Sequence, residues 1–106
     1  MKRIQVSPAA RADIDRIEAW YERQKDGLGD RFLTAVEQTA DRIALNPEGY
    51  VKVIKEARKA DLRKFPYSLW FTIENDVMAI ACLHQRRDRV LARERALGVR
   101  PMPDPS

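Results

Sequence analysis

The chain has 106 residues, 44% hydrophobic and 34% charged, with a formal net charge of +4 and a pI near 9.5. That composition excludes a disordered chain, the length leaves room for one domain, and a core this small cannot enclose a deep active site. Cys82 is the only cysteine, which rules out an intramolecular disulfide, and the absence of a long apolar run or of a secretion signal in MKRIQV predicts a cytoplasmic protein.

Lys2 to Val6 alternates, with Ile4 and Val6 on one face, and predicts a short first strand. Ser7-Pro8 marks a helix start, Ser7 as N-cap and Pro8 at the first helical position, where its missing N–H costs nothing. The first helix is predicted over Pro8 to Gln24, with Ala10, Ile14, Ile17 and Tyr21 in one apolar stripe that Trp20 broadens. Lys25 to Gly29 breaks the period. A second helix is predicted over Leu28 to Leu45, with Phe32, Ala35, Val36, Thr39 and Ile43 in its stripe, and Asn46-Pro47 stops it. The two make an antiparallel helical hairpin.

The period then changes. Glu56 to Lys64 alternates, with Arg58, Ala60 and Leu62 on one side. After Pro66, Tyr67, Leu69, Phe71 and Ile73 share one strand face and Trp70 lies on the other. Asn75-Asp76 is a plausible turn. Val77 to Leu83 is apolar on both faces, as for a strand covered on both sides. Asp88 is placed to cap a short helix reaching Leu97. These elements predict an α+β domain over residues 1–97: a first strand, a helical hairpin, a three-stranded meander and a short last helix, the hairpin burying its stripe on the mainly antiparallel sheet. Residues 98–106, with Pro101, Pro103 and Pro105, predict a loose tail.

Charge is unevenly spread. Residues 1–50 carry eight Lys/Arg and nine Asp/Glu, a net of −1, and residues 51–106 carry twelve and seven, a net of +5. A basic half suits an anionic partner, either nucleic acid or an acidic protein segment. Arg58, Lys59, Arg63 and Lys64 on one strand, with Arg86, Arg89 and Arg93, are expected to form one basic surface. Trp70, alternating away from Leu69 and Phe71, is expected on the second sheet face, open to a partner as an aromatic anchor. No Cys/His cluster, Gly-rich phosphate loop or Ser/His/Asp motif is present, so neither a metal nor a cofactor is expected.

Three segments carry a resemblance. They are Ser7-Pro8-Ala9-Ala10 followed by Asp13-Ile14, then Phe65-Pro66-Tyr67-Ser68-Leu69, then Cys82-Leu83-His84-Gln85-Arg86-Arg87-Asp88. The last is similar to the LHGRRD stretch of ParE-like proteins. In this order and spacing the chain resembles the RelE/ParE family of toxins from type II toxin–antitoxin systems, over about residues 2–90, and most nearly its ParE-like, plasmid-stabilisation subgroup. The resemblance implies the family's fold. It also implies an antitoxin partner that wraps an extended or helical segment around the toxin. ParE-like members poison DNA gyrase and are not nucleases, whereas RelE-like members cleave mRNA at the ribosome.

The nuclease alternative needs an acid or base and cations on the phosphate. Its candidates are His84, Arg86, Arg87 and Arg58. RelE-like nucleases commonly place a tyrosine soon after the arginine segment, and here none follows Tyr67, which favours a growth inhibitor that binds DNA gyrase. A third reading is a non-toxic family member acting as a binding module.

Overall fold

The computed structural model describes residues 4–98. The predicted strand start at Lys2 and the predicted tail beyond Gly98 lie outside the described residues. In chain order the elements are β1 (Ile4–Val6), α1 (Pro8–Gln24), α2 (Leu28–Leu45), a 3-10 turn (Pro47–Gly49), β2 (Lys52–Ile54), β3 (Ala57–Asp61), β4 (Tyr67–Ile73), β5 (Val77–His84) and α3 (Arg89–Leu97).

Local chemistry sets the helix ends. The Ser7 hydroxyl accepts the Ala10 N–H at 3.1 Å, with Pro8 behind it, so α1 begins with one orphan donor satisfied and one absent. The turn into α2 passes through Gly27 at φ 85°, a left-handed conformation glycine adopts without steric cost. No side chain of α2 caps its own start. The carboxylate of Glu22 on α1 does so, accepting the Gly27 and Gly29 N–H groups at 3.0 Å each. Gly29 permits this close approach, because a Cβ there would lie 3.0 Å from the Glu18 carbonyl oxygen.

The five strands form one sheet in the order β1-β5-β4-β3-β2. β1 runs parallel to β5, and the other neighbours are antiparallel. The helical hairpin covers one face, where Ile14, Ile17, Phe32 and Ile43 meet Leu69, Phe71 and Val77 in the main core. Each such large apolar side chain contributes about 1.5–3 kcal/mol on burial. α3 covers the other face with a much smaller cluster in which Ala92 meets Trp70, Ala81 and Leu83.

A bulge in β5 joins the two faces. Trp70 pairs with Ala81 but Phe71 pairs with Ala79, so Ile80 is an extra residue. β1 ends at Val6, opposite Ala79, and leaves the later part of β5 without a strand partner on that side. Two side chains take its place. Asp13 of α1 accepts the Cys82 N–H at 3.0 Å, and Arg95 of α3 donates to the Ile80 carbonyl at 3.0 Å. The two also pair with each other at 2.9 and 3.2 Å. Asp13 is only 2% exposed, so a buried carboxylate is matched by a cation and a backbone donor at once. Further along, the Asp88 carboxylate accepts the His84 N–H at 2.9 Å.

Several expectations are corrected. The meander extends to four strands, because β2 forms a hairpin with β3 and has no counterpart among the predicted elements. With three residues and exposed Val51 and Val53, β2 has almost no periodic signal of its own. The predicted strand over Glu56 to Lys64 spans only Ala57–Asp61, so Arg63 and Lys64 lie in the following loop. Trp20 is 48% exposed rather than part of the core stripe. Trp70 does face the second side of the sheet but is 8% exposed, since α3 lies over it. Asp88 stands at the N-cap position of α3 without capping the helix, its carboxylate being engaged by His84.

Candidate functional site

The predicted basic surface divides into separate places. Arg58 lies on the helical-hairpin side of β3, where its guanidinium donates to the Tyr50 carbonyl at 2.6 Å and to that of Glu48 at 3.1 Å. It braces the chain entering β2. His84, Arg86 and Arg87 share the turn after β5. β4 Tyr67 pairs with His84 and Phe71 pairs with Arg58, so Arg58 is four residues away along the strands, about 13 Å, and two strands across. The four nuclease candidates therefore do not converge.

His84 organises its turn. Its Nδ1 accepts the backbone N–H groups of Arg86 and Arg87 at 3.1 and 3.2 Å, and its ring packs edge-on against Tyr67 with centroids 5.3 Å apart. With Nδ1 engaged as an acceptor, the neutral ring carries its proton on Nε2. Arg86 and Arg87 are exposed. Tyr67, which precedes the arginine segment in sequence, stands beside it in space: Arg87 Nη2 lies 3.5 Å from the Tyr67 hydroxyl.

Arg89, Arg93, Lys59 and Trp70 come together on the α3 side. Between α3 and the β2–β3 hairpin runs an open groove of about 650 Å³. Its walls carry Lys55, Lys59, Arg89 and Arg93, and its apolar surface is made by Val53, Trp70 and Leu97. No Asp or Glu lines it. The single ion pair at its rim, Lys59 with Asp61 at 3.7 Å, is exposed and weak. Lys55 and Val53 were not among the predicted site residues. Lys55 sits in the β2–β3 turn at φ 49°, and no sequence signal marked that hairpin. Arg63 and Lys64 instead flank a second groove on the opposite face, between the helical hairpin and the β3–β4 loop, beside Tyr21 and Phe65.

Among the described residues no group of three or more His, Cys, Asp or Glu is placed to hold a metal ion, and no helix is long and apolar enough to cross a membrane. Cys82, the one thiol, is buried in the main core. Burial, reinforced by the Asp13 carboxylate, pushes it up to about 12.

A helical hairpin on one face of a five-stranded mixed sheet, with a short helix on the other, is the architecture of toxins from toxin–antitoxin pairs. A solved structure described as the chromosomal ParDE toxin–antitoxin system from P. aeruginosa superposes with a TM-score of 0.62 at 16% identity, covering 79% of this chain and 96% of that one. No curated protein sequence matches. The family model for the ParE toxin of the type II toxin–antitoxin system parDE matches residues 4–89, and the chain belongs to that family.

Proposed function

We propose that this protein arrests growth by binding a large target, DNA gyrase, and that a cognate antitoxin neutralises it by laying an acidic segment with apolar anchors into the groove between α3 and the β2–β3 hairpin. The observation that carries the binding reading is that groove: four cationic side chains, no carboxylate, and an apolar surface of exposed Val53 and Leu97 around the edge of the largely buried Trp70. Cations alone would suit a phosphate backbone. Cations around an apolar surface suit a protein segment, which supplies both charge and side chains to bury. The exposed β2 edge beside the groove offers unpaired backbone groups to an extended segment. Action by binding agrees with the scattered nuclease candidates, and His84 is engaged in holding its turn.

The test is expression of the chain without any antitoxin in bacterial cells, with plasmid supercoiling and protein synthesis scored in parallel. Loss of supercoiling before any fall in translation is expected. Early translation arrest with cleaved transcripts and intact supercoiling would overturn the gyrase reading. Supercoiling by purified gyrase, assayed with the purified chain added, checks the target directly. For the groove, Lys59→Glu, Arg89→Glu and Arg93→Glu together should lower antitoxin affinity by orders of magnitude at low salt, since each reversal replaces attraction by repulsion.

A further inference from the structure

The outer flank of α1 carries three side chains that the fold itself uses little. Trp20 is 48% exposed, the one exposed aromatic side chain among the described residues. It rests edge-on against Tyr21, with centroids 5.1 Å apart, which orients the indole without covering it. Arg16 and Arg23 stand one turn to either side, at spacings of four and three that bring all three onto one flank. Among the described residues Arg23 forms no ion pair, and Arg16 reaches only Asp13, at 3.5 Å. That carboxylate is already held by the Cys82 N–H and by Arg95, and the Arg16 side chain stays 63% exposed. Arg23 lies in the last turn, where a cation suits the helix dipole, but any basic residue would serve that purpose.

The charges of α1 are sorted. Asp15, Glu18 and Glu22 recur at three and four residues on a separate stripe. Two of them are taken up at the start of α2: Glu22 accepts the Gly27 and Gly29 N–H groups, and Glu18 borders Gly29. The flank around Trp20 is left basic. Exposed Ala12 and Ala19 alternate with Arg16 and Arg23 along the helix and keep the surface low beside the indole. The two arginines are about 10 Å apart along the axis. Cations spaced by methyl groups around an exposed ring suit a protein surface, which buries all three kinds of atom. A phosphate backbone would leave the methyl groups and the ring edge in water. Tryptophan and arginine are also among the side chains most enriched at interface hot spots.

This flank is separate from the groove assigned to the antitoxin. α1 lies over the β5 end of the sheet, where Asp13 meets Cys82, and the groove lies on the other face over the β2–β3 end. We propose that Trp20, Arg16 and Arg23 form the surface by which the toxin grips its target, an acidic protein surface with an apolar socket that takes the indole. The inference rests on the reading that the chain arrests growth by binding a protein, and not on that protein being gyrase.

The full chain, made by cell-free synthesis, is assayed against purified gyrase, and its gene is induced in bacterial cells. The wild type is compared with Trp20→Ala, with Trp20→Phe and with Arg16→Glu and Arg23→Glu together. Trp20→Ala and the double reversal should each raise the concentration that halves supercoiling by about thirtyfold or more, the scale of an interface hot spot, and should restore colony formation. Trp20→Phe should recover part of the inhibition. All three positions are exposed, so each variant should keep the wild-type urea midpoint. If the wild type arrests growth without touching gyrase and the variants do not arrest it, the surface stands and gyrase falls. Variants as toxic as the wild type overturn the surface and leave the growth-inhibitor reading intact. A wild type that arrests nothing overturns both. Tryptophan quenching that saturates with a single-stranded oligonucleotide, and is lost in Trp20→Ala, assigns the flank to nucleic acid and overturns the protein surface.

Discussion

Asp13→Ala should be among the most damaging single substitutions in this protein, because the buried carboxylate has three dependents. It accepts the Cys82 N–H, receives both terminal nitrogens of Arg95, and lies 3.5 Å from Arg16. Its removal orphans a buried backbone donor, at about 1–3 kcal/mol. It also strands Arg95. A fully buried ion pair broken at one end costs about 3–5 kcal/mol, but the Arg95 side chain is 24% exposed and can turn toward water, so the lower part of that range applies. A total of about 4–6 kcal/mol corresponds to a fall in Tm of about 18–27 °C for a domain of this size. Arg95→Met should cost less, about 1–2 kcal/mol, because Asp13 retains Cys82 and Arg16. Urea unfolding followed by tryptophan emission measures all three variants of a double-mutant cycle. A coupling of about 1–2 kcal/mol is expected between the two sites. If Asp13→Ala costs less than about 1 kcal/mol, or the two changes simply add, the bridge across the bulge is not what holds α3 to α1.

Three further outcomes test other parts of the structure. Cys82 has a folded-state value of about 12 against an ordinary 9, so its contribution is intact below about pH 9 and lost as pH rises toward 12. Raising the pH from 8 to 10.5 should remove about 2 kcal/mol from the wild type, a loss missing from Cys82→Ala when both are unfolded in urea. Trp70→Ala should cost about 3–5 kcal/mol by opening a cavity under α3, whereas Trp20→Ala should stay within about 0.5 kcal/mol, the ranking being read from the two urea midpoints. Gly29→Ala should raise the rate of unfolding and lower Tm, since a methyl group there meets the Glu18 carbonyl at 3.0 Å and the Glu22 carboxylate at 2.9 Å.

The helices were legible because their signals are local. Ser7-Pro8 starts α1, Gly27 and Gly29 shape the turn, and Asn46-Pro47 ends α2, each through backbone chemistry within a few residues. The strands from Tyr67 to His84 were legible because their alternation is long enough to show a period. What stayed hidden depends on contacts distant in sequence. Nothing near Val51 or Val53 reveals that β2 will pair with β3, and the Lys55 wall of the groove was lost with it. The basic residues were visible, but their grouping was not. Arg58 and Lys59 are adjacent in sequence and lie on opposite sides of a strand, while Lys59 and Arg93 are far apart and line one groove. Alternation with Leu69 and Phe71 puts Trp70 on the second sheet face, yet its covering by α3 follows from a helix whose own burial rests mainly on Ala92. Tyr67 beside Arg87 is likewise a product of β4–β5 register, invisible to any scan for a tyrosine downstream of the arginines.

The early end of β1 has a consequence for inheritance. A first strand longer by a few residues would itself pair with the later part of β5, and neither the Ile80 carbonyl nor the Cys82 amide would call for a side chain. The acid at position 13 and the base at position 95 are 82 residues apart, yet both serve the stretch of β5 that β1 leaves uncovered. Relatives whose first strand reaches further should therefore be free to lose both charges, and relatives that end it here should keep the acid first and the base with it.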